Sequence, residues 1–80
     1  MMDTVQKVSD EIGRIRKSST EVIVVSAPEW QGRRRVDARI WAEAEDGTLK
    51  PTRKGINLRP EDAAEVAALI ARAAKVAARE

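Results

Sequence analysis

The segment Lys50-Pro51-Thr52-Arg53-Lys54-Gly55-Ile56-Asn57-Leu58 sets three cations, a rigid proline and a glycine between apolar residues. Cations spaced like this do one kind of chemistry well: they neutralise phosphate oxygens along a polyanion. Pro51 fixes its own φ and has no amide to donate, so a strand containing it must run at an edge, a turn or a bulge. Gly55 permits a kink or the close approach of another chain. Lys50, Arg53 and Lys54 therefore make a compact positive surface on backbone that is not hidden within a sheet. A second set lies upstream. From Arg33 to about Glu43 strict alternation puts Arg33, Arg35, Asp37, Arg39 and Trp41 on one side, and Val36, Ala38, Ile40 and Ala42 on the other. Arginines meet phosphates and a flat ring stacks bases, so the first side has the composition of a nucleotide-binding surface. Asp37 is expected to orient a neighbouring arginine through a cross-strand pair. Arg34, of opposite parity, falls at the rim.

Other chemistry is poorly provided for. The chain has no histidine and no cysteine, so the usual proton-transfer group near neutral pH and the usual thiol nucleophile are both missing. Ser18, Ser19 and Thr20 have no evident activating base. Glu43, Glu45 and Asp46 read as a polar hairpin tip rather than a metal cluster, and no phosphate-binding glycine loop is present. The reading is a non-enzyme with no cofactor and no metal. A formal net charge of +2 names no partner by itself. Its distribution does more, because Arg33, Arg34, Arg35, Arg39, Lys50, Arg53, Lys54 and Arg59 crowd the middle of the chain while both flanks are nearly balanced. That pattern suggests a defined anionic ligand rather than general adhesion to membranes.

Several elements must position these residues. From Asp3 to Ile15, Val5, Val8, Ile12 and Ile15 recur at helical spacing, with Asp3 and Gln6 as a capping pair. Residues 1–19 are thus either a short helix or a mobile arm, and the folded domain is expected over residues 20–80. Glu21 to Ala27 reads as a first strand stopped by Pro28, with the helix over one of its faces and a second subunit over the other. Gln31-Gly32 turns the chain into a second strand, Arg33 to about Glu43, and Asp46-Gly47 is a hairpin signal for a primed turn. A third strand, Thr48 to about Arg53, and a short fourth ending at Leu58 complete an antiparallel meander. Pro60 suits the first turn of a helix, with Glu61, Asp62 and Glu65 at its positive end and Arg72, Lys75 and Arg79 at the other. Val66, Leu69, Ile70, Ala73, Val76 and Ala77 form one apolar stripe along it. Eighty residues without a disulfide or a zinc site make a thin core, which leaves oligomerisation as the stabilising route. No apolar run approaches the length of a membrane span.

This order of elements resembles the positive cofactor four (p15) family of transcriptional coactivators, from about Thr20 to Ala71. The pieces that carry the resemblance are Trp30-Gln31-Gly32-Arg33, Val36-Asp37-Ala38-Arg39, Asp46-Gly47 and, most specifically, Lys50 to Leu58 followed by Pro60-Glu61. The resemblance implies an α+β fold: a homodimer in which four curved antiparallel strands and a C-terminal helix per subunit build grooves for single-stranded DNA. It further implies a base-stacking role for Trp30 and backbone contacts for Arg33, Arg39, Lys50, Arg53 and Lys54, to which the shared strand face adds Arg35. Two departures stand out. A stacking tryptophan of the family falls at Ala42 here, with Trp41 one place earlier, so Trp41 either stacks in a different geometry or packs inside. Cations that relatives place on the first strand are replaced by Glu21 and Ile23.

The expected function is that of a sequence-nonspecific single-stranded-DNA-binding protein of the transcription coactivator type. It would act in transcription regulation as a homodimer, with duplex DNA or RNA bound more weakly and the transcription machinery as a further partner. The alternative is a small dimeric protein-interaction module, binding for example a polymerase subunit, that stacks no DNA. Either would work in the cytoplasm, at the nucleoid in a bacterium or in the nucleus of a eukaryote, and without a membrane.

Overall fold

In the computed structural model, which describes residues 8–79, the β-branched run Glu21–Ser26 is a central strand with antiparallel neighbours on both sides. In chain order the elements are β1 Glu11–Arg16, β2 Glu21–Ser26, β3 Glu29–Trp30, β4 Arg33–Arg34, β5 Val36–Glu43, β6 Leu49–Leu58 and α1 Pro60–Ala78. Strands β1, β2, β5 and β6 form one sheet in that order, and β3 with β4 a separate two-stranded hairpin. The fold is the expected α+β arrangement of a four-stranded antiparallel sheet followed by a helix, but two of the four strands arise differently.

The first difference is β1. Helical spacing predicts a helix through Ile15, whereas the chain from Glu11 onward is a strand paired with β2. Gly13-Arg14-Ile15-Arg16 also alternates with period 2, and Gly13 disfavours a helix. Pairing with the open edge of β2 then satisfies backbone groups that a lone helix would not reach. The sheet therefore starts before residue 20, and residues 11–16 are neither arm nor helix. The capping pair Asp3 and Gln6, with Val5, lies outside the described residues.

The second difference is β6, one ten-residue strand where two were expected. Its pairing with β5 jumps from Arg39↔Gly55 to Trp41↔Pro51, so three residues, 52–54, stand opposite Ile40 alone. The kink predicted from Pro51 and Gly55 exists as this bulge inside a continuous strand. Conversely the expected second strand is interrupted at Arg35. Gln31 and Gly32 take φ of 52° and 78°, the positive pair of a primed two-residue turn, and they close β3 and β4 as a hairpin of their own. At Asp46-Gly47 only Gly47 has a positive φ, 88°. The Gly47 amide donates to the Ala44 carbonyl and the Ala44 amide to the Thr48 carbonyl, so the loop is a three-residue turn and not the primed one.

Cross-strand partners share a face. One face carries Val22, Val24 and Ser26 of β2, Asp37, Arg39 and Trp41 of β5, and Pro51, Gly55 and Asn57 of β6. Val8, Val22, Val24 and Leu49 make up the buried core, with half-buried Trp41 packed against it. The other face is apolar and open. Ile23, Val25, Ala38 and Ile40 are flanked there by Ile15 and Ile56, and the last two with Val25 are exposed.

Helix α1 does not cover that face. Pro60 opens it, Glu61 and Asp62 occupy its first turn and Lys75 its last, yet none of its residues is buried. Leu69 and Ile70 remain 55% and 58% exposed. The radius of gyration, 14.1 Å, exceeds the value of about 12 Å expected of a compact chain of this length. No helix among the described residues is long and apolar enough to cross a membrane.

Candidate nucleic-acid interface

The bulge in β6 is stitched by Thr52. Its Oγ1 donates to the Ile40 carbonyl at 2.7 Å and accepts the Lys54 amide at 3.2 Å, while its carbonyl accepts Arg39 Nη1 at 2.9 Å. These bonds take the place of ladder bonds lost to the extra residues and bring Arg53 and Lys54 out at the sheet edge, both exposed. Gly55 makes the close approach possible, since a Cβ there would lie 2.5 Å from the Ala38 carbonyl oxygen and 2.7 Å from Arg39 Cα.

Arg39 is held as well as charged. Asp37 accepts from its Nε at 3.0 Å and from its Nη2 at 2.8 Å, a same-strand pair rather than the cross-strand pair expected of Asp37. Across the strands Asn57 Nδ2 donates to Asp37 Oδ1 at 3.2 Å, and Asn57 Oδ1 accepts from Arg35 Nε at 2.8 Å. A chain of polar contacts thus runs Arg35, Asn57, Asp37, Arg39, Thr52. The hydrogen bond from Arg39, with a smaller contribution from Asn57, holds the Asp37 carboxyl below its ordinary value against the opposing effect of burial. The same pairing raises Arg39.

The candidate cations therefore differ in kind. Arg39 is largely neutralised by Asp37. Arg35 faces an amide and keeps its charge. Arg33, Arg53 and Lys54 enter no ion pair or side-chain hydrogen bond among the described residues, so their charge is available to an external anion, whereas Lys50 is near enough to Asp46 to help hold that carboxyl below its ordinary value. Arg33 is the cross-strand partner of Trp30 on the β3–β4 hairpin, and Trp30 is 64% exposed. Lys50 pairs with Ala42, which places it on the face opposite Arg39 and Trp41, apart from the rest. Arg34, assigned to the rim, ties the hairpin down: its Nη1 donates to the Ala27 carbonyl at 2.7 Å and lies 3.4 Å from Asp10.

Two cations escaped the sequence reading. The register Arg14↔Val24↔Arg39 and Arg16↔Val22↔Trp41 sets Arg14 and Arg16 of β1 on the same face as Arg39 and Trp41. Arg14 is paired with Glu11 at 2.6 Å, whereas Arg16 Nη1 donates only to the carbonyls of Ser18 and Ser19. Where Glu21 and Ile23 left the first predicted strand without cations, β1 supplies them. The alternation from Gly13 to Arg16 was the available signal.

A four-stranded antiparallel sheet that ends in one helix and turns a bulged, cation-bearing edge to solvent defines a small α+β module of the nucleic-acid-binding coactivator type. Residues 17–69 match the family described as Transcriptional Coactivator p15 (PC4), and the chain belongs to that family. Among solved structures it is similar to a PC4 homologue from Burkholderia pseudomallei K96243 in two crystal forms. The tetragonal form is 39% identical with a TM-score of 0.75, covering 80% of this chain and 94% of that one. The orthorhombic form is 35% identical with a TM-score of 0.76, covering 89% and 96%. A search of curated proteins finds no match.

Proposed function

We propose that this protein binds single-stranded DNA without strong sequence preference and acts as a homodimeric, coactivator-like factor in transcription. The observation that carries this reading is the Thr52-stitched bulge. It holds Arg53 and Lys54 unpaired at the edge of a sheet whose face already presents Arg39, Arg16 and Trp41. Phosphates would be tracked by Arg33, Arg35, Arg53 and Lys54, with Arg39 as a held, weaker contact and Lys50 joining from the far face. Bases would stack on Trp30, and on the half-buried ring of Trp41 beside the core. Each stacked base is worth roughly 1–3 kcal/mol. Binding would take place at the nucleoid or in the nucleus, with RNA and duplex DNA as weaker ligands.

The homodimer is supported by what one chain leaves uncovered: the apolar face of Ile23, Val25 and Ile40, and the exposed stripe of α1. That same stripe favours a second reading, in which α1 binds a component of the transcription machinery and the basic sheet is a solvated face. Competition separates the two. A labelled single strand should be displaced by unlabelled single strand at least about tenfold more readily than by duplex, and Lys54→Ala should weaken binding and reduce the salt slope by about 0.7. Equal displacement by duplex would overturn the single-strand preference, and an unchanged affinity in Lys54→Ala would remove the bulge from the interface.

A further inference from the structure

Every residue of the β3–β4 hairpin from 29 to 34 is exposed, and the hairpin forms a sheet of its own. No buried apolar contact therefore fixes the angle at which it presents Trp30 and Arg33. What ties it to the main sheet is polar. Arg34 Nη1 donates to the Ala27 carbonyl at 2.7 Å and lies 3.4 Å from Asp10 Oδ1, while the Ala27 amide donates to the Asp10 carbonyl at 3.0 Å. Asp10 and Arg34 thus grip the two sides of one peptide unit at the end of β2 and meet each other across it. Asp10 is itself well placed. Its φ of 59° lies in the left-handed region that aspartate tolerates better than most residues. The turn around it is closed by the Glu11 amide on the Val8 carbonyl and by the Val8 amide on Glu11 Oε1, and Val8 belongs to the core. A continuous path therefore runs from the core through Asp10 and Arg34 to the hairpin.

We infer that Asp10 and Arg34 are positioning residues for nucleic-acid binding: they hold Trp30 and Arg33 at the angle the strand needs and touch no part of it. The inference rests on the single-strand reading above and adds to it a residue from outside the matched family segment, which begins at residue 17. The hairpin register sets Trp30 opposite Arg33 and Glu29 opposite Arg34. Cross-strand partners share a face, so the clamp works from the side turned away from Trp30 and Arg33. An exposed ion pair of this kind adds little to global stability. Its effect is on the population of one hairpin orientation, and an apparent Kd rises in inverse proportion to the competent fraction. Release that left about one fifth of the molecules competent would weaken binding about fivefold.

The test titrates the full chain into a fluorescein-labelled oligothymidylate of about 20 nucleotides and follows polarisation at several salt concentrations. Asp10→Gly, which keeps the left-handed backbone accessible, Arg34→Ala and the double variant are compared with the unmodified protein. Charge and clamp predict opposite signs at Asp10. Removing a carboxylate near a polyanion site should tighten binding by charge alone, whereas loss of the clamp should weaken it about fivefold. Arg34→Ala should weaken binding to a similar degree with an unchanged salt slope, because a direct phosphate contact would take about 0.7 from that slope. The double variant should bind no more weakly than either single one, and the Tm of each should stay within about 5 °C of the unmodified protein. The inference is overturned if Asp10→Gly binds as tightly as the unmodified protein or more tightly. It is overturned equally if the slope falls in Arg34→Ala, if the two losses multiply in the double variant, or if the Tm falls further. Absence of binding by the unmodified protein would instead remove the single-strand reading, and this inference with it.

Discussion

Gly55 and Gly13 carry the same side chain into the same sheet with different consequences. At Gly55 an added methyl group would strike the β5 backbone, whereas at Gly13 it would meet nothing within 4 Å. Because backbone cannot move aside as a side chain can, Gly55→Ala should cost about 1–3 kcal/mol in a denaturant titration, and Gly13→Ala should change stability by less than about 1 kcal/mol. An equal, small effect at both would show that the bulge does not need the contact. Asp37 makes a second residue-scale prediction. Arg39, and to a lesser degree Asn57, lower its pKa in the folded state. Its contribution to stability is therefore complete above its unfolded value, near 3.8, and is lost as the pH falls through the lower folded value. Thermal melts of the protein should drop more steeply than those of Asp37→Asn between about pH 4 and pH 2. Parallel acid limbs would remove Asp37 from the stabilising network.

Among the elements, those set by strong local chemistry were legible in the sequence. Pro28 ends β2, Pro60 opens α1, the β-branched run at Val22 to Val25 is a strand, and Gln31-Gly32 is a turn. What was not legible depended on partners far along the chain. Residues 11–16 satisfy a helical pattern and a strand pattern at once, and only the open edge of β2 decides between them. The bulge was foreseen as a kink from Pro51 and Gly55, but its register could not be, because Thr52 closes it against Ile40 from the neighbouring strand. The interface divides in the same way. The cations of β5 and β6 were found by alternation and motif, while Arg14 and Arg16 were missed together with the strand that carries them. The charge of Arg39 was over-counted because its pairing with Asp37 is made at side-chain level, beyond what alternation predicts.

At the scale of the whole molecule, one chain buries Val8, Val22, Val24 and Leu49 as its apolar core among the described residues, which is thin support for a fold of this size. In the homodimer proposed above, a second copy would cover the exposed α1 stripe and the Ile23 face and so complete the core. Substituting Leu69→Glu together with Ile70→Glu should convert the protein to monomers in sedimentation and lower its Tm, and the unmodified protein's Tm should rise with concentration. A monomer of unchanged Tm would leave α1 free for the alternative, a protein partner. The central claim, that this sheet binds single-stranded DNA with bases against Trp30 and phosphates on unpaired cations, is tested most directly by fluorescence titration with an oligonucleotide of about 20 nucleotides across a range of salt concentrations. The prediction is quenching on binding, an affinity that falls with a log–log slope of about −0.7 per phosphate contacted, and loss of roughly 1–3 kcal/mol in Trp30→Ala. Absence of binding at low salt, or binding that neither quenches tryptophan nor weakens with salt, would contradict it.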